Sequence, residues 1–248
     1  MSGHSKWATI KRKKAATDQA RGKLFSKYIK EITLAARQGG DIEANPRLRT
    51  AIAAAKSVNM PASNIERAVK RGTGEVEGVH YEETQYEGYG PGGVALLVEV
   101  ATDNRNRTAG DIRHIFTKHG GNLGEAGSVA YLFKPRGVIL VEKAVASEDT
   151  VMEVALDAGA DDVNPEGDSY EILTPPAAFE PVKEALAAKG IAVQSAELAK
   201  IASLQVPVSE KEAEAILRLV DALEDHDDVQ KVHANFNVPD EVMARLSR

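Results

Sequence analysis

Apolar positions recur every three or four residues through the first seventy positions, then give way to short apolar runs bounded by glycine and proline. In "TDQARGKLFSKYIKEITLAARQGG", Leu24, Phe25, Tyr28, Ile29, Ile32, Ala35 and Ala36 fall on one helical face, and Gly39-Gly40 is a natural stop. "NPRLRTAIAAAKSVNMP" predicts a second helix with Asn45 as N-cap and Pro46 at the first helical position, ending before Pro61. "SNIERAVKRG" predicts a third, with Ser63 and Glu66 in capping-box spacing and Gly72 closing it. The three are expected to pack on Phe25, Ile29, Leu48, Ile52, Ile65 and Val69.

From Thr73 the pattern changes. "GTGEVEG" reads as a linker, "YEETQYEGYG" and "VALLVEVA" as strands, and "RTAGDIRHIFTKHGG" as a helix with Ile112, Ile115 and Phe116 inward. "SVAYLF" reads as a further strand. Residues 137–200 then spell β-α-β-β-α-β, and the flanks 93–134 and 202–238 spell the same order again. The predicted class is therefore α+β: a helical unit over 1–78, a discontinuous α/β unit over 79–134 and 202–248, and a similar unit over 135–201 inserted into it.

Charge sharpens this division. Residues 1–72 hold 16 Lys and Arg against five Asp and Glu, a net +11, whereas the whole chain is -6 and the remainder therefore -17. A cationic head on an anionic body predicts a polyanion as the head's partner, with the body repelling and so orienting it. The chain has 248 residues, enough for one to three domains, and no cysteine, which removes disulfides, thiolate nucleophiles and cysteine metal sites. Its N-terminus lacks the apolar run of a secretory signal, and "VALLV" is too short to span a bilayer.

Candidate chemistry concentrates in "GHSKWATIKRKKAATDQARGKLFSKYIKEI". Lys6, Lys11, Arg12, Lys13, Lys14, Arg21, Lys23, Lys27 and Lys30 face one acid, Asp18, and Trp7 can stack on a base or sugar. The bland alternative is a solvated tail. "GYGPGG" matches G-x-G-x-x-G, but its glycines precede a strand and enclose Pro91, so it reads as a turn rather than a dinucleotide fingerprint. "TDNRNRT" precedes a helix: Thr108 with Asp111 resembles a cap, and Arg105 and Arg107 form a candidate phosphate contact or a solvated loop. His114 and His119 are poorly spaced for shared metal ligation. The acidic turn Glu224, Asp225, Asp227, Asp228 lacks the order of a calcium loop. No catalytic residue, metal or cofactor is predicted.

"GHSKWATIKRKKAATDQARGKLFSK", "NPRLRTAIAAAKSVNMP", "NIERAVKRGTG", "YEGYGPGGVALLVE", "TDNRNRTAGDIRHIFTKHGGNLGEAGSVAYLF" and "AGADDV" together resemble the YebC/TACO family over nearly the whole chain. The resemblance implies three domains, an N-terminal helical one and two α/β ones of ferredoxin-like βαββαβ type, the third inserted into the second. It implies a non-enzymatic, cofactor-free regulator of gene expression that binds DNA. The alternative is a ribosome-associated translation factor that binds ribosomal RNA, as suggested by the family's mitochondrial branch. The Met1 start before "SGHSKW" is similar to bacterial members, so a cytoplasmic location is expected. Ala62 stands where a lysine is common in the family, one charge fewer on the head. The acidic body is an expected surface for the ribosome or another protein.

Overall fold

The computed structural model describes residues 18–238 and Val242, with side chains from residue 22 onward. Three helices come first: α1 (Asp18–Ala36), α2 (Pro46–Ser57) and α3 (Ala62–Gly72). Asn45 joins the first two. Its side-chain oxygen accepts from Leu48 N at 3.0 Å, and its amide donates to Ala35 O and Gly39 O at 2.9 and 2.8 Å. One buried side chain thus caps the start of α2 and the end of α1. The third helix departs from expectation: it starts at Ala62, not after a Ser63 cap, and Pro61 stands at its N-cap. The Pro61 carbonyl accepts from Asn64 and Ile65, so the first turn closes one step earlier. Ile32, Leu48, Ile52, Met60 and Ile65 form the head's core, with Phe25, Ile29 and Val69 at its margin.

The body follows as β1 (Glu82–Tyr89), β2 (Ala95–Thr102), α4 (Arg105–Lys118), β3 (Asn122–Leu123), β4 (Phe133–Glu142), α5 (Glu148–Asp157), β5 (Asp162–Glu166) and β6 (Ser169–Thr174). Then come α6 (Phe179–Ala188), β7 (Ser195–Ala202), β8 (Val206–Pro207), α7 (Glu210–Glu224), β9 (Val229–Ala234) and β10 (Phe236–Asn237). One antiparallel sheet has the order β3-β1-β2-β9, the other β5-β6-β4-β7, while β8 and β10 form a short parallel pair. The run β4 to β7 is the β-α-β-β-α-β unit that the sequence predicts, with α5 and α6 covering Ile139, Val141 and Ile172. The fold is mixed helix and sheet of the α+β class.

The flanking unit reaches a similar sheet by another route. The position between β2 and β3 belongs to β1, which precedes them in the chain. "SVAYLF", predicted as a strand, is instead a 3₁₀ turn at Ala130–Leu132 leading into β4. The cause lies in Glu87 of β1. Its buried carboxylate accepts from Gly127 N, Val129 N and Ala130 N, each at 2.7 Å, so these donors go to a side chain rather than to a ladder. Burial pushes the Glu87 carboxyl up, but the three amides prevail and hold it below its ordinary range.

Helices α4 and α7 cover one face of the first sheet through Ile112, Phe116, Ile216 and Leu219. The opposite face, with Ala95 and Leu97, packs on Val129 and Phe133, where the chain enters β4. Lys200 bonds Glu99 at 2.6 Å across this seam, and His233 stands 3.7 Å from the same carboxylate. Burial opposes the charge on Glu99, yet His233 and Lys200 hold it at about 2.

Glu87→Gln is expected to lower stability by about 2 kcal/mol at neutral pH, because an amide offers one acceptor where three donors converge. A depressed carboxyl stabilises above its unfolded pKa of about 4.3 and stops doing so as pH falls through the folded value. Urea titrations should therefore show the gap between wild type and variant narrowing as pH drops below about 4.

Candidate nucleic-acid interface

Lys23, Lys27 and Lys30 stand at i, i+4 and i+7, on one face of α1. That face meets the C-terminal end of α7, where the last carbonyls lack helical partners and carry the negative end of the macrodipole. Lys23 Nζ donates to Asp225 O at 3.2 Å and Lys27 Nζ to Glu224 O at 2.7 Å. Lys30 goes deeper: its Nζ donates to Asp227 O at 2.9 Å, Ala101 O at 3.3 Å and Asp228 Oδ1 at 2.7 Å, and lies over the Tyr81 ring. The basic stripe predicted to meet phosphates thus contacts the protein's own body, with Lys23 still partly exposed and only Lys30 buried. For Lys30, whose side chain is 11% exposed, a phosphate role is corrected to a structural one.

Asp228 is the hub. Its Oδ2 accepts from Thr108 Oγ1 at 2.7 Å, Arg107 Nη2 at 2.9 Å and Thr102 Oγ1 at 3.1 Å. Its backbone N–H donates to His226 Nδ1 at 3.1 Å, which leaves the imidazole proton on Nε2, 3.3 Å from Asp111. Burial disfavours the Asp228 charge, but Lys30, Thr108 and Arg107 together hold its carboxyl far below the ordinary range. The loop before α4 is built for this. Asn104, not Thr108, caps the helix by accepting from Arg107 N at 3.1 Å, and Thr108 is buried against Asp228. Arg107 is held by Asp103 at 2.7 Å and by Asp228, so it is a clamp as well as a half-exposed cation. Arg105 is exposed, and among the described residues its side chain donates to the Thr84 hydroxyl at 3.5 Å.

Around this hub lies an open cleft of about 1030 Å³ between α1 and the body. It brings together Lys23, Lys30 and Arg107, but also Asp103, Asp111, Asp225, Asp227 and Asp228, so acids outnumber cations along its wall. This is a poor seat for phosphate. "GYGPGG" is a turn: Gly92 and Gly93 both have φ of +72°, and a Cβ on Gly90 would lie 2.6 Å from the Ile216 side chain. Lys6, Trp7, Lys11, Arg12, Lys13 and Lys14, and the side chain of Arg21, lie outside the described residues. Among the described residues, no group of three or more His, Asp or Glu side chains is placed to hold a metal, and no helix is long and apolar enough to cross a membrane.

Residues 5–75 match the family model described as the TACO1/YebC protein N-terminal domain, and residues 81–236 the one described as the TACO1/YebC second and third domain. The chain belongs to the TACO1/YebC family. It is 58% identical over 249 residues to a probable transcriptional regulatory protein of Syntrophobacter fumaroxidans, covering all of both chains. It is 56% identical, again over 249 residues and all of both chains, to a protein of the same description in Dictyoglomus turgidum. The crystal structure of a conserved hypothetical protein from Aquifex aeolicus, 49% identical, superposes with a TM-score of 0.81 over 90% of this chain and 93% of that one.

In this TACO1/YebC chain the cations left without an ion pair among the described residues are others. On the head they include Arg67, Lys70 and Arg71 of α3, and Lys56 of α2. Arg67, Arg71 and Asn64 line a small hollow of about 110 Å³ beside Ile29, and Arg71 Nε is buried without a hydrogen-bond partner among the described residues. The sequence signal for them existed: they flank the inward Ile65, Ala68 and Val69 in "NIERAVKRG". On the body, Arg113 and Lys118 of α4 are exposed.

Removing one partner of a buried pair strands the other's charge. Asp228→Ala or Lys30→Ala should therefore each cost about 3–5 kcal/mol in denaturant unfolding. Lys23→Ala, at a more exposed contact, should cost under about 1 kcal/mol. The Asp228 contribution is present above the unfolded carboxyl pKa and lost as pH falls through the lower folded value, so the wild type should lose the advantage in acid.

Proposed function

We propose that this protein is a non-enzymatic, nucleic-acid-binding regulator of gene expression that grips phosphate backbone with its cationic head. The observation that carries this is the separation of charge: +11 over residues 1–72 against -17 over the rest. Within the head, three lysines of α1 are engaged against the end of α7 and the turn after it, while Lys56 of α2 and Arg67, Lys70 and Arg71 of α3 have no ion pair among the described residues; with the basic run in the sequence before α1, they are the cations proposed to meet a polyanion. The description of the relatives as probable transcriptional regulatory proteins supports a role at DNA. Phosphate-directed cations fix a protein on a nucleic acid without reading bases, so binding set by backbone and shape is the expected mode. Ribosomal RNA offers the same phosphate chemistry and is the alternative target, in which case the protein acts in translation. The acidic body turns away from the nucleic acid and orients the molecule on it.

Titration of the full chain against duplex DNA and against a ribosomal RNA fragment, over a salt series, separates the two. Replacing Lys11, Arg12, Lys13 and Lys14 by alanine should make the slope of log affinity against log salt shallower by about 3 to 4 on duplex DNA, if all four meet phosphates. An unchanged slope would show the run to be a solvated tail. Failure of the wild type to bind either nucleic acid at low salt sinks the proposal.

A further inference from the structure

We propose that the hollow between α1 and α3, walled by Asn64, Arg67 and Arg71, is a seat for a single phosphodiester group of a nucleic-acid backbone. This rests on the reading of the head as a polyanion grip and names the contact that fixes its register. The first observation is placement. At about 100° per residue, Asn64, Arg67 and Arg71 fall within about 60° of one another around α3, and Glu66 lies on the far side. All three line one hollow of about 110 Å³, floored by Ile29 and Ala68, with no acid among the described residues that line it. The large cleft, which shares Ile29, carries five aspartates instead.

The second observation is donors that the fold leaves unspent. Asn64, Arg67 and Arg71 make no side-chain hydrogen bond or ion pair among the described residues. Arg67 is exposed, and Arg71 is half-buried. The chain at Gly78 lies over the Arg71 stem: a Cβ there would stand 3.1 Å from Cδ and 3.4 Å from Nε. Arg71 Nε is buried without a hydrogen-bond partner, whereas its two Nη groups are not so covered. The stem is therefore clamped and the guanidinium is presented end-on. A cationic N–H buried without an acceptor disfavours the fold, and an anion held on the same guanidinium offsets that cost.

The third observation is a rigid base. Thr33 Oγ1 lies 2.7 Å from Ile29 O and 3.3 Å from Ala68 O, which ties the two floor residues together across α1 and α3. Gly72 approaches α1 so closely that a Cβ there would collide with the Thr33 carbonyl. The two arginines thus project from a helix fixed on its neighbour. They stand one turn apart, so their forks reach an anion from different directions. A tetrahedral phosphate accepts from both and from the Asn64 amide, whereas a planar carboxylate presents one edge. Phosphate chemistry fits this seat better than an acidic side chain.

The test titrates the full chain with duplex DNA, a ribosomal RNA fragment and polyglutamate over a salt series. Two arginines on one phosphate count once, so Arg67→Ala/Arg71→Ala should make the slope of log affinity against log salt shallower by about 1 on duplex DNA. Arg67→Lys and Arg71→Lys keep the charge but lose the fork. Each should weaken binding several-fold at an unchanged slope and thermal midpoint. Such a loss on either nucleic acid supports the seat, and the one that shows it is the target. A double alanine variant with wild-type affinity and slope, or lysine variants that bind as tightly as wild type, overturn the seat and leave the proposed function standing. A slope shallower by about 2 puts the arginines on separate phosphates and overturns the single seat. Wild-type binding to polyglutamate but to neither nucleic acid overturns both.

Discussion

The pairing of Lys30 with Asp228 joins residues 198 positions apart and brings the helical head against the first sheet. Both charges are almost fully withdrawn from water, a cost that only dense hydrogen bonding offsets. The Asp228 carboxylate meets it with partners on three elements, Lys30 from α1, Thr102 from β2, and Arg107 and Thr108 from α4, while its backbone N–H donates to His226 in its own turn. Lys23 and Lys27 extend the same seam along the end of α7, and Arg47 adds a separate tie by bonding both Glu31 of α1 and Glu83 of β1. Single pairs at an exposed seam are weak. The buried one gives this seam a register, because no other acid in the turn reaches Lys30 with its side chain.

In this arrangement Lys23, Lys27 and Lys30 serve the contact between α1 and the body. A lysine stripe at helical spacing has the same appearance in sequence whether it faces water, phosphate or another part of the chain. Here it faces carbonyls and a carboxylate. The acids Asp225, Asp227 and Asp228, which in sequence look like a solvated turn, are the far half of that contact. Part of the head's charge is therefore used in internal docking through α1. The acidic wall of the cleft repels a polyanion from that contact.

Local features of the fold were legible in the sequence where local chemistry decides them. Asn45 with Pro46, the strands β1 and β2, and the β-α-β-β-α-β order of β4 to β7 all follow from caps, periodicity and turn residues. What escaped depends on distant partners. "SVAYLF" has strand composition, but Glu87, some forty residues earlier, claims its amides. Thr108 looks like a cap, but Asp228 draws it inward while Asn104 takes the capping role. For the candidate interface, the total charge of the head was legible, and the α3 cations could have been read by elimination from its apolar face. The loss of Lys30 to the interior could not, because nothing within one helix records what will pack against it.

The Asp228 hub sets the position of the head on the body. The chain has no cysteine, so Lys56→Cys and Asn106→Cys, both exposed, give one clean pair of spin labels, one on the head and one on α4. Pulsed electron paramagnetic resonance should give a single narrow distance distribution in the parent protein and a broad one after Asp228→Asn. An equally narrow, unshifted distribution in the Asp228→Asn background would show that the head is held by something else and would contradict the account.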